Sequence, residues 1–438
     1  MSSSNNTTFL ARPGGHLSGT LRVPGDKSIS HRSIMFGSLA EGVTEVNGFL
    51  EGEDCLSTMR AFRSMGVEIE HSGEGRVRIH GVGLHGLQQP DEALDLGNSG
   101  TSMRLMAGLC AGQDFSVTLT GDHSLSTRPM RRVTEPLREM GAIIGTTDTG
   151  TPPLAIKGGE ALKAITYTLP MASAQVKSCL LLAGMYAEGK TCITEPAPTR
   201  DHTERMLQGF GYDLERDGAT ACIKGGGTLS ATNIDVPADI SSATFFMVGA
   251  SIAEGSEILL ENVGINPTRD GVISILNLMG ADITLTNQKE ICGEPVADIL
   301  VRSAQLKGID IPEELVPLAI DEFPAIFIAA ACADGVTRLT GAEELRVKES
   351  DRIQVMADGM QKLGIEVEPT PDGIVIQPGV FNGGEVDSHG DHRIAMSFSM
   401  AALRATGDIT IHDCDNVNTS FPHFIDLANQ SGLNISIK

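Results

Sequence analysis

The sequence predicts an α/β protein of two domains, each made of three copies of one helix-and-strand unit. Three observations carry this. Apolar runs ending in a small residue and Gly recur at 33–42, 103–112, 180–189, 245–255, 325–335 and 394–407, a period of roughly 70 residues and longer than any common solenoid repeat. Each run is followed by a short β-rich stretch, a polar loop, a one-sided helix and a Gly that opens an alternating segment. Finally, Val23-Pro24-Gly25-Asp26-Lys27-Ser28-Ile29-Ser30 matches Val236-Pro237-Ala238-Asp239-Ile240-Ser241-Ser242-Ala243, and three copies follow each.

Each element has a local cause. The first helix is apolar nearly all round, as in Phe245-Phe246-Met247-Val248 or Ile326-Phe327-Ile328-Ala329, so protein must enclose it on every side. The second is amphipathic. Across 351–363 the apolar residues Ile353, Val355, Met356, Met360 and Leu363 recur at helical spacing among Arg, Gln, Asp and Lys. The following glycines (Gly66, Gly141, Gly211, Gly280, Gly364 and Gly432) supply a left-handed stop, and the period-2 pattern after them reads as a strand with one solvated face. The internal match places the first domain at 24–236 and the second at 1–23 plus 237–438, with hinges near Pro24 and Pro237. Leu17 to Val23 is left to complete the second domain, and two crossings permit closure.

Composition bounds the function. A length of 438 residues exceeds one comfortable core. The low aromatic share of 4%, with 50 Gly and 20 Pro, points to aliphatic packing and many turns. A net charge of -23 leaves no basic surplus for a nucleic-acid partner. The longest apolar stretches, such as 323–333, are too short to span a bilayer. The opening 1–8 has no basic residue and no apolar core, so it reads as a frayed terminus, with retention in the cytoplasm expected. The 8 Cys are scattered without C-x-x-C, several inside apolar runs, so a disulfide framework is not expected.

If small anions are the substrates, the cations must be gathered locally, and they are. The start of a buried helix offers bare amide donors and a partial positive charge. Four such starts are decorated: Gly25-Asp26-Lys27-Ser28-Ile29-Ser30-His31-Arg32, Gly97-Asn98-Ser99-Gly100-Thr101-Ser102-Met103-Arg104, Ala172-Ser173-Ala174-Gln175-Val176-Lys177 and Gly390-Asp391-His392-Arg393. Ordinary capping explains any one of them. Recurrence of basic, Gly- or Ser-rich starts at one position of the repeat favours ligand binding. A second ring precedes the amphipathic helices: Arg128 with Arg131 and Arg132, Arg200 with Arg205, Arg269, and the run Lys348-Glu349-Ser350-Asp351-Arg352. In that run two cations and two carboxylates share one turn, which suits charge recognition together with proton transfer. Asp321 and Glu322, taken alone, read as residues complementing a helix dipole.

Other motifs fail. Gly25-Asp26-Lys27-Ser28 lacks the first Gly of a phosphate loop, no G-x-S-x-G elbow exists, and His389-Gly390-Asp391-His392 has no further cluster to hold a metal.

With these residues assembled, the sequence resembles the 5-enolpyruvylshikimate-3-phosphate synthases along nearly the whole chain, from Gly25-Asp26-Lys27-Ser28 to Ser420-Phe421-Pro422. It resembles the second class of that family through Ser173-Ala174-Gln175-Val176-Lys177, Arg200-Asp201-His202-Thr203-Glu204 and Asn266-Pro267-Thr268-Arg269. Thr419 stands where the first class has a Lys, and the sequence does not name the group that takes over its contact.

The resemblance implies the two-domain enolpyruvyl transferase fold, each domain three βαβαββ-like units about a pseudo-threefold axis. It implies transfer of the enolpyruvyl group of phosphoenolpyruvate to the 5-hydroxyl of shikimate 3-phosphate by a monomer, without metal or organic cofactor. Residue by residue, it assigns Lys27, Ser28, Arg32, Ser173, Ala174, Gln175, Arg200, Asp321 and Lys348 to shikimate 3-phosphate. Phosphoenolpyruvate falls to Lys27, Asn98, Gly100, Arg128, Gln175, Arg352, His392 and Arg393. Protonating C3 while a hydroxyl attacks C2 needs an acid and a base, for which Glu349 and Asp321 are the candidates, and Lys27 would assist departing phosphate. These groups come from both domains, so closure is expected to complete the site.

Two rival readings compete with this one. UDP-N-acetylglucosamine enolpyruvyl transferases share the fold but use a loop Cys, and the matching loop Gly121-Asp122-His123-Ser124-Leu125-Ser126-Thr127-Arg128 has none. A non-catalytic anion-binding repeat protein would have no use for Asp321 and Glu349 among its cations.

Overall fold

The computed structural model describes residues 7–291 and 293–438. The chain forms two compact bodies: Gly25–Val236 with Ile291–Glu294, and Met1–Pro24 with Pro237–Glu290 and Pro295–Lys438. The fraying expected at 1–8 falls mostly on residues 1–6, outside the described residues. Thr7 and Thr8 do not fray: the Thr7 amide donates to Asp415 Oδ1 at 3.0 Å and the Thr8 carbonyl accepts from the Lys438 amide at 2.9 Å.

In the first body the helices are α1 (Lys27–Leu39), α2 (Glu53–Ser64), α3 (Gly100–Ala111), the single turn α4 (His123–Ser126), α5 (Arg131–Glu139), α6 (Ala174–Gly184) and α7 (His202–Gly209). The second body has α8 (Ile240–Ile252), α9 (Gly271–Leu278), α10 (Phe323–Ala331), α11 (Arg352–Lys362), α12 (His392–Ala401) and α13 (Phe424–Ser431). Helices α1, α3, α6, α8, α10 and α12 are the apolar ones. Every residue of α8 and of α10 is buried, as a helix without a polar face requires. In the second body α8, α10 and α12 pack on one another; in the first, α3 packs against both α1 and α6. Around them lie the one-sided helices, which close on their glycines. Gly66 sits at φ +86° and Gly432 at φ +115°, a region costly for any residue with a Cβ.

Among the described residues six sheets cover the helices, three in each body, and five share one pattern. A short edge strand runs parallel to the strand that follows the buried helix, and an antiparallel pair completes the sheet. Leu94–Asp95 thus runs parallel to Val117–Thr120, which pairs antiparallel with Leu154–Lys157 and, beyond it, Ile143–Gly145. The first repeat borrows its parallel edge from the far end of its own body, since Leu229–Ser230 and Asn233–Asp235 both lie against Ala40–Asn47. In the second body Ser18–Leu21 is the parallel edge on Glu257–Gly264, and Phe9–Ala11 pairs antiparallel with both Ile409–His412 and Ile435–Ile437. The sixth sheet, Thr337–Leu339 with Gly373–Ile376 and Val367–Thr370, replaces the edge strand by the single parallel bridge Asp310↔Arg338.

The expectation about cysteines needs correction. Cys192 and Cys222 form a disulfide between directly opposed positions of the antiparallel strands Lys190–Thr194 and Thr220–Lys224. Register, not sequence spacing, brings them together, which is why 30 residues of separation concealed the pair. The remaining described cysteines are free thiols. Burial pushes those of Cys110 and Cys179 up to about 12, so they act as small apolar fillers. Among the described residues no helix is long and apolar enough to cross a membrane.

Candidate active site

In the first body the starts of α1, α3 and α6 carry the polar groups. Asp26 caps α1 by accepting from the Ile29 amide at 2.8 Å, which directs Lys27 out of the first turn, with its Nζ 2.5 Å from Asp54 Oδ2. Arg32, one turn into α1, is buried and fully engaged. Its Nε donates to Thr203 Oγ1 at 2.7 Å, one terminal nitrogen to Ser178 Oγ at 2.9 Å and the other to the Ser28 carbonyl at 3.0 Å. Burial lowers its guanidinium to about 10, partly offset by Glu204 and Asp26 and reinforced by Arg200. Even so lowered, it stays charged at neutral pH, so this is a permanent cation anchored on hydroxyls.

Gly100 begins α3 behind its cap Ser99. A Cβ placed there would sit 3.1 Å from both Arg104 Nη1 and Arg128 Nη1, so the missing side chain is what leaves room between two guanidiniums. Arg128 donates to Asn98 Oδ1 at 2.6 Å, and Asn98 in turn to Asp122 Oδ2 at 2.7 Å. Arg104 donates to Gln175 Oε1, and the Gln175 amide donates to Thr101 Oγ1 at 3.1 Å. Ser173 caps α6, accepting from the Val176 amide, and Ala174 is the first residue of that helix. Behind it Lys177 is buried between Glu195 at 3.0 Å and Glu204 at 2.7 Å.

The second body gathers a denser cluster around Arg352, whose side chain is 1% exposed. Its Nε donates to Asp391 at 2.8 Å, one terminal nitrogen to Asp321 at 3.1 Å and the other to Glu349 at 2.7 Å. Burial alone would favour the neutral form of Arg352, but the carboxylates of Asp391, Glu349 and Asp321 outweigh it and raise its pKa above the usual range. Lys348 Nζ lies 3.7 Å from the same oxygen of Asp321 and 2.7 Å from Glu344. Arg393 donates to the Asp321 main-chain carbonyl at 3.0 Å and lies 3.7 Å from Glu322. His392 shares a 3.1 Å contact with Ser420 Oγ.

A patch that combines two carboxylates with Lys348, Arg352 and Arg393 can bind an anion and move protons beside it. Similarity to known proteins shows the family of the chain. The model of the family described as EPSP synthase (3-phosphoshikimate 1-carboxyvinyltransferase) matches residues 11–427. The chain belongs to the EPSP synthase family. It is 70% identical over 432 residues to a 3-phosphoshikimate 1-carboxyvinyltransferase of Methylococcus capsulatus, covering 99% of each chain. The solved structure of an EPSP synthase from Acinetobacter baumannii matches with a TM-score of 0.90 at 61% identity, over 99% of this chain and 100% of that one. The enolpyruvyl transferase NikO of Streptomyces tendae, at 16% identity and TM-score 0.79 over 99% of both chains, shares the fold.

For an EPSP synthase the sequence-predicted residues fall into two groups. The first body carries Lys27, Asn98, Gly100 and Gln175 at or beside its helix starts, with Arg128 against Asn98 and Gly100 and with Ser28 and Arg32 on α1. Ser173 and Ala174 open α6, and Arg200 precedes α7 near enough for its charge to bear on Arg32. The second body unites Asp321, Lys348, Glu349, Arg352 and Arg393. Asp321 is therefore more than a dipole-complementing residue: Glu322 occupies the cap position of α10, while Asp321 meets two cations. Arg269 has the opposite fate, buried at 3.1 Å from Asp239 and 2.6 Å from Ser241 Oγ, which is a structural pairing. Thr419 turns its hydroxyl to the Asn416 carbonyl at 2.7 Å.

Sequence reasoning missed Arg104, Asp54 and Asp391. Arg104 had a signal, one helical turn beyond Gly100 on the same face. Asp54 had none, because it acts as the counter-charge of Lys27, distant in the chain. Asp391 lies in the start Gly390-Asp391-His392-Arg393, where it reads as an ordinary cap, and its pairing with Arg352 leaves no trace in the sequence.

Proposed function

We propose that these two groups of side chains serve the reaction of the EPSP synthase family, in which phosphoenolpyruvate gives its enolpyruvyl group to the 5-hydroxyl of shikimate 3-phosphate and phosphate leaves. Arg352 carries the reading: a buried, permanently charged guanidinium that holds Asp321 and Glu349 on adjacent nitrogens. An anion-binding surface has no need of carboxylates there, whereas addition and elimination need one group for the hydroxyl proton and one for C3.

Phosphoenolpyruvate is taken by Lys27, Arg128, Arg352 and Arg393, with Asn98, Gly100, Gln175 and His392 beside it. Lys27, Ser28, Arg32, Ser173, Ala174, Gln175, Arg200, Asp321 and Lys348 take shikimate 3-phosphate. Asp321 accepts the proton of the 5-hydroxyl as its oxygen attacks C2, and Glu349 delivers a proton to C3. The same C3 position then loses a proton as the tetrahedral intermediate expels phosphate, with Lys27 neutralising the leaving group. The chain acts as a cytoplasmic monomer on these two metabolites, with no nucleic-acid partner, metal or organic cofactor. Its bodies move about hinges near Pro24 and Pro237, where the chain passes from one to the other.

The Asp321→Asn enzyme tests the assignment. It should bind both substrates by calorimetry while its turnover drops roughly a hundredfold or more, the scale of a lost proton-transfer group. Unchanged turnover would remove Asp321 from the reaction.

A further inference from the structure

His31 lies on α1 one turn after Lys27 and directly before Arg32, fully buried. The proposed reaction gives it no task, and a buried imidazole is costly unless its nitrogens are satisfied. Both are. Nδ1 is 2.8 Å from Thr58 Oγ1 on α2 and 3.3 Å from Ser102 Oγ on α3. Nε2 is 3.4 Å from the Oγ of Ser99, the residue that caps α3. The hydroxyls are joined to one another: Thr58 to Ser102 at 2.6 Å and Ser99 to Ser102 at 2.9 Å. Thr58 also donates to the Asp54 carbonyl at 3.2 Å.

One arrangement of protons gives every donor an acceptor, with Ser102 donating to one of its two hydroxyl neighbours. Nδ1–H donates to Thr58, whose hydroxyl passes on to the Asp54 carbonyl, and Nε2 accepts from Ser99. Burial lowers the imidazole well below its ordinary pKa, with Lys27 and Arg32 acting in the same direction, so the neutral ring that this arrangement needs is the form present.

The three helices tied together in this way carry Lys27 on α1, its counter-ion Asp54 on α2, and Asn98-Ser99-Gly100 at the start of α3. We propose that His31 is a positioning residue for the enolpyruvyl donor, fixing the start of α3 and the Asp54 turn of α2 against Lys27 through Thr58, Ser99 and Ser102. This rests on the reading that places phosphoenolpyruvate at Lys27, Gly100 and Arg128. The acceptor side has its own support, because Arg32 is held by Thr203 and Ser178.

The test measures both Michaelis constants in full-length His31→Leu, His31→Asn and Thr58→Val, with Arg128→Ala as the control for the reading itself. His31→Leu should raise KM for phosphoenolpyruvate by roughly two- to tenfold, the range set by losing a buried hydrogen bond, with KM for shikimate 3-phosphate nearly unchanged. His31→Asn, which restores a polar atom near Nδ1, should recover most of the loss. Thr58→Val removes the hydroxyl without touching the ring and should shift KM in the same direction, which keeps the test available if the Leu variant does not fold. Unaltered KM for phosphoenolpyruvate in His31→Leu and Thr58→Val, or equal rises for both substrates that Asn does not relieve, would overturn the proposal. If Arg128→Ala also leaves KM for phosphoenolpyruvate unchanged, the underlying site assignment falls with it. If Arg128→Ala raises KM and the others do not, His31 alone loses its role.

Discussion

Arg352 and Asp391 meet at 2.8 Å with side chains 1% and 0% exposed. Two charges withdrawn so far from water are tolerated only as a pair, and deleting one leaves the other with its full desolvation penalty. Asp391 has a second duty, since its other oxygen accepts from the Arg393 amide at the start of α12.

Asp391→Asn keeps a side chain able to cap α12 and removes the charge. It should lower unfolding stability by about 3 kcal/mol, the scale of breaking a buried pair, as read from the urea midpoint. Phosphoenolpyruvate should also bind more weakly, because Arg352 then leans further on Glu349 and Asp321.

Gly100→Ala separates fold from function. The position is helical and does not require a left-handed backbone, so the fold should keep its stability. The added methyl meets Arg104 and Arg128 at 3.1 Å, and both guanidiniums must give way. KM for phosphoenolpyruvate should rise several-fold more than KM for shikimate 3-phosphate in initial-rate measurements.

The buried imidazole of His31 predicts a pH dependence with a definite sign. Its folded pKa lies well below 6.5, whereas in the unfolded chain it titrates near its ordinary value. As pH falls below about 6.5 the unfolded state takes up a proton that the folded state refuses, until the lowered folded pKa is reached. Stability therefore declines with acidification across that window and is indifferent to this group above it, with a slope of at most about 1.4 kcal/mol per pH unit. Urea titrations from about pH 7 to pH 5 should show a steeper loss for the native chain than for His31→Asn.

Much of this molecule is legible in the sequence because each unit's cause is local. A helix such as Ile240–Ile252 without a polar face must be enclosed, and a Gly at each outer helix end announces a left-handed stop. What escaped is what depends on register or on distant partners. The edge that Leu229–Ser230 and Asn233–Asp235 supply to Ala40–Asn47 joins opposite ends of one body. The site shows the same division. Lys27, Arg128, Arg352 and Arg393 stand out by charge and by position in the repeat, while Asp54 and Asp391, which hold two of them, look like any other acid. His31 sits in a quoted motif yet has meaning only beside hydroxyls from two other helices.

The Cys192–Cys222 bond gives a prediction independent of the active site. Its closed loop of 30 residues should contribute about 3 kcal/mol through the unfolded state. Reduction should lower the thermal midpoint, and alkylation before and after reductant should differ by two thiols on intact-mass analysis.

Release of inorganic phosphate from purified protein near neutral pH tests the central claim most directly. Phosphate should appear only when phosphoenolpyruvate and shikimate 3-phosphate are present together, with neither alone supporting turnover. Absence of phosphate from the complete mixture, or equal release when shikimate 3-phosphate is omitted, would contradict the account.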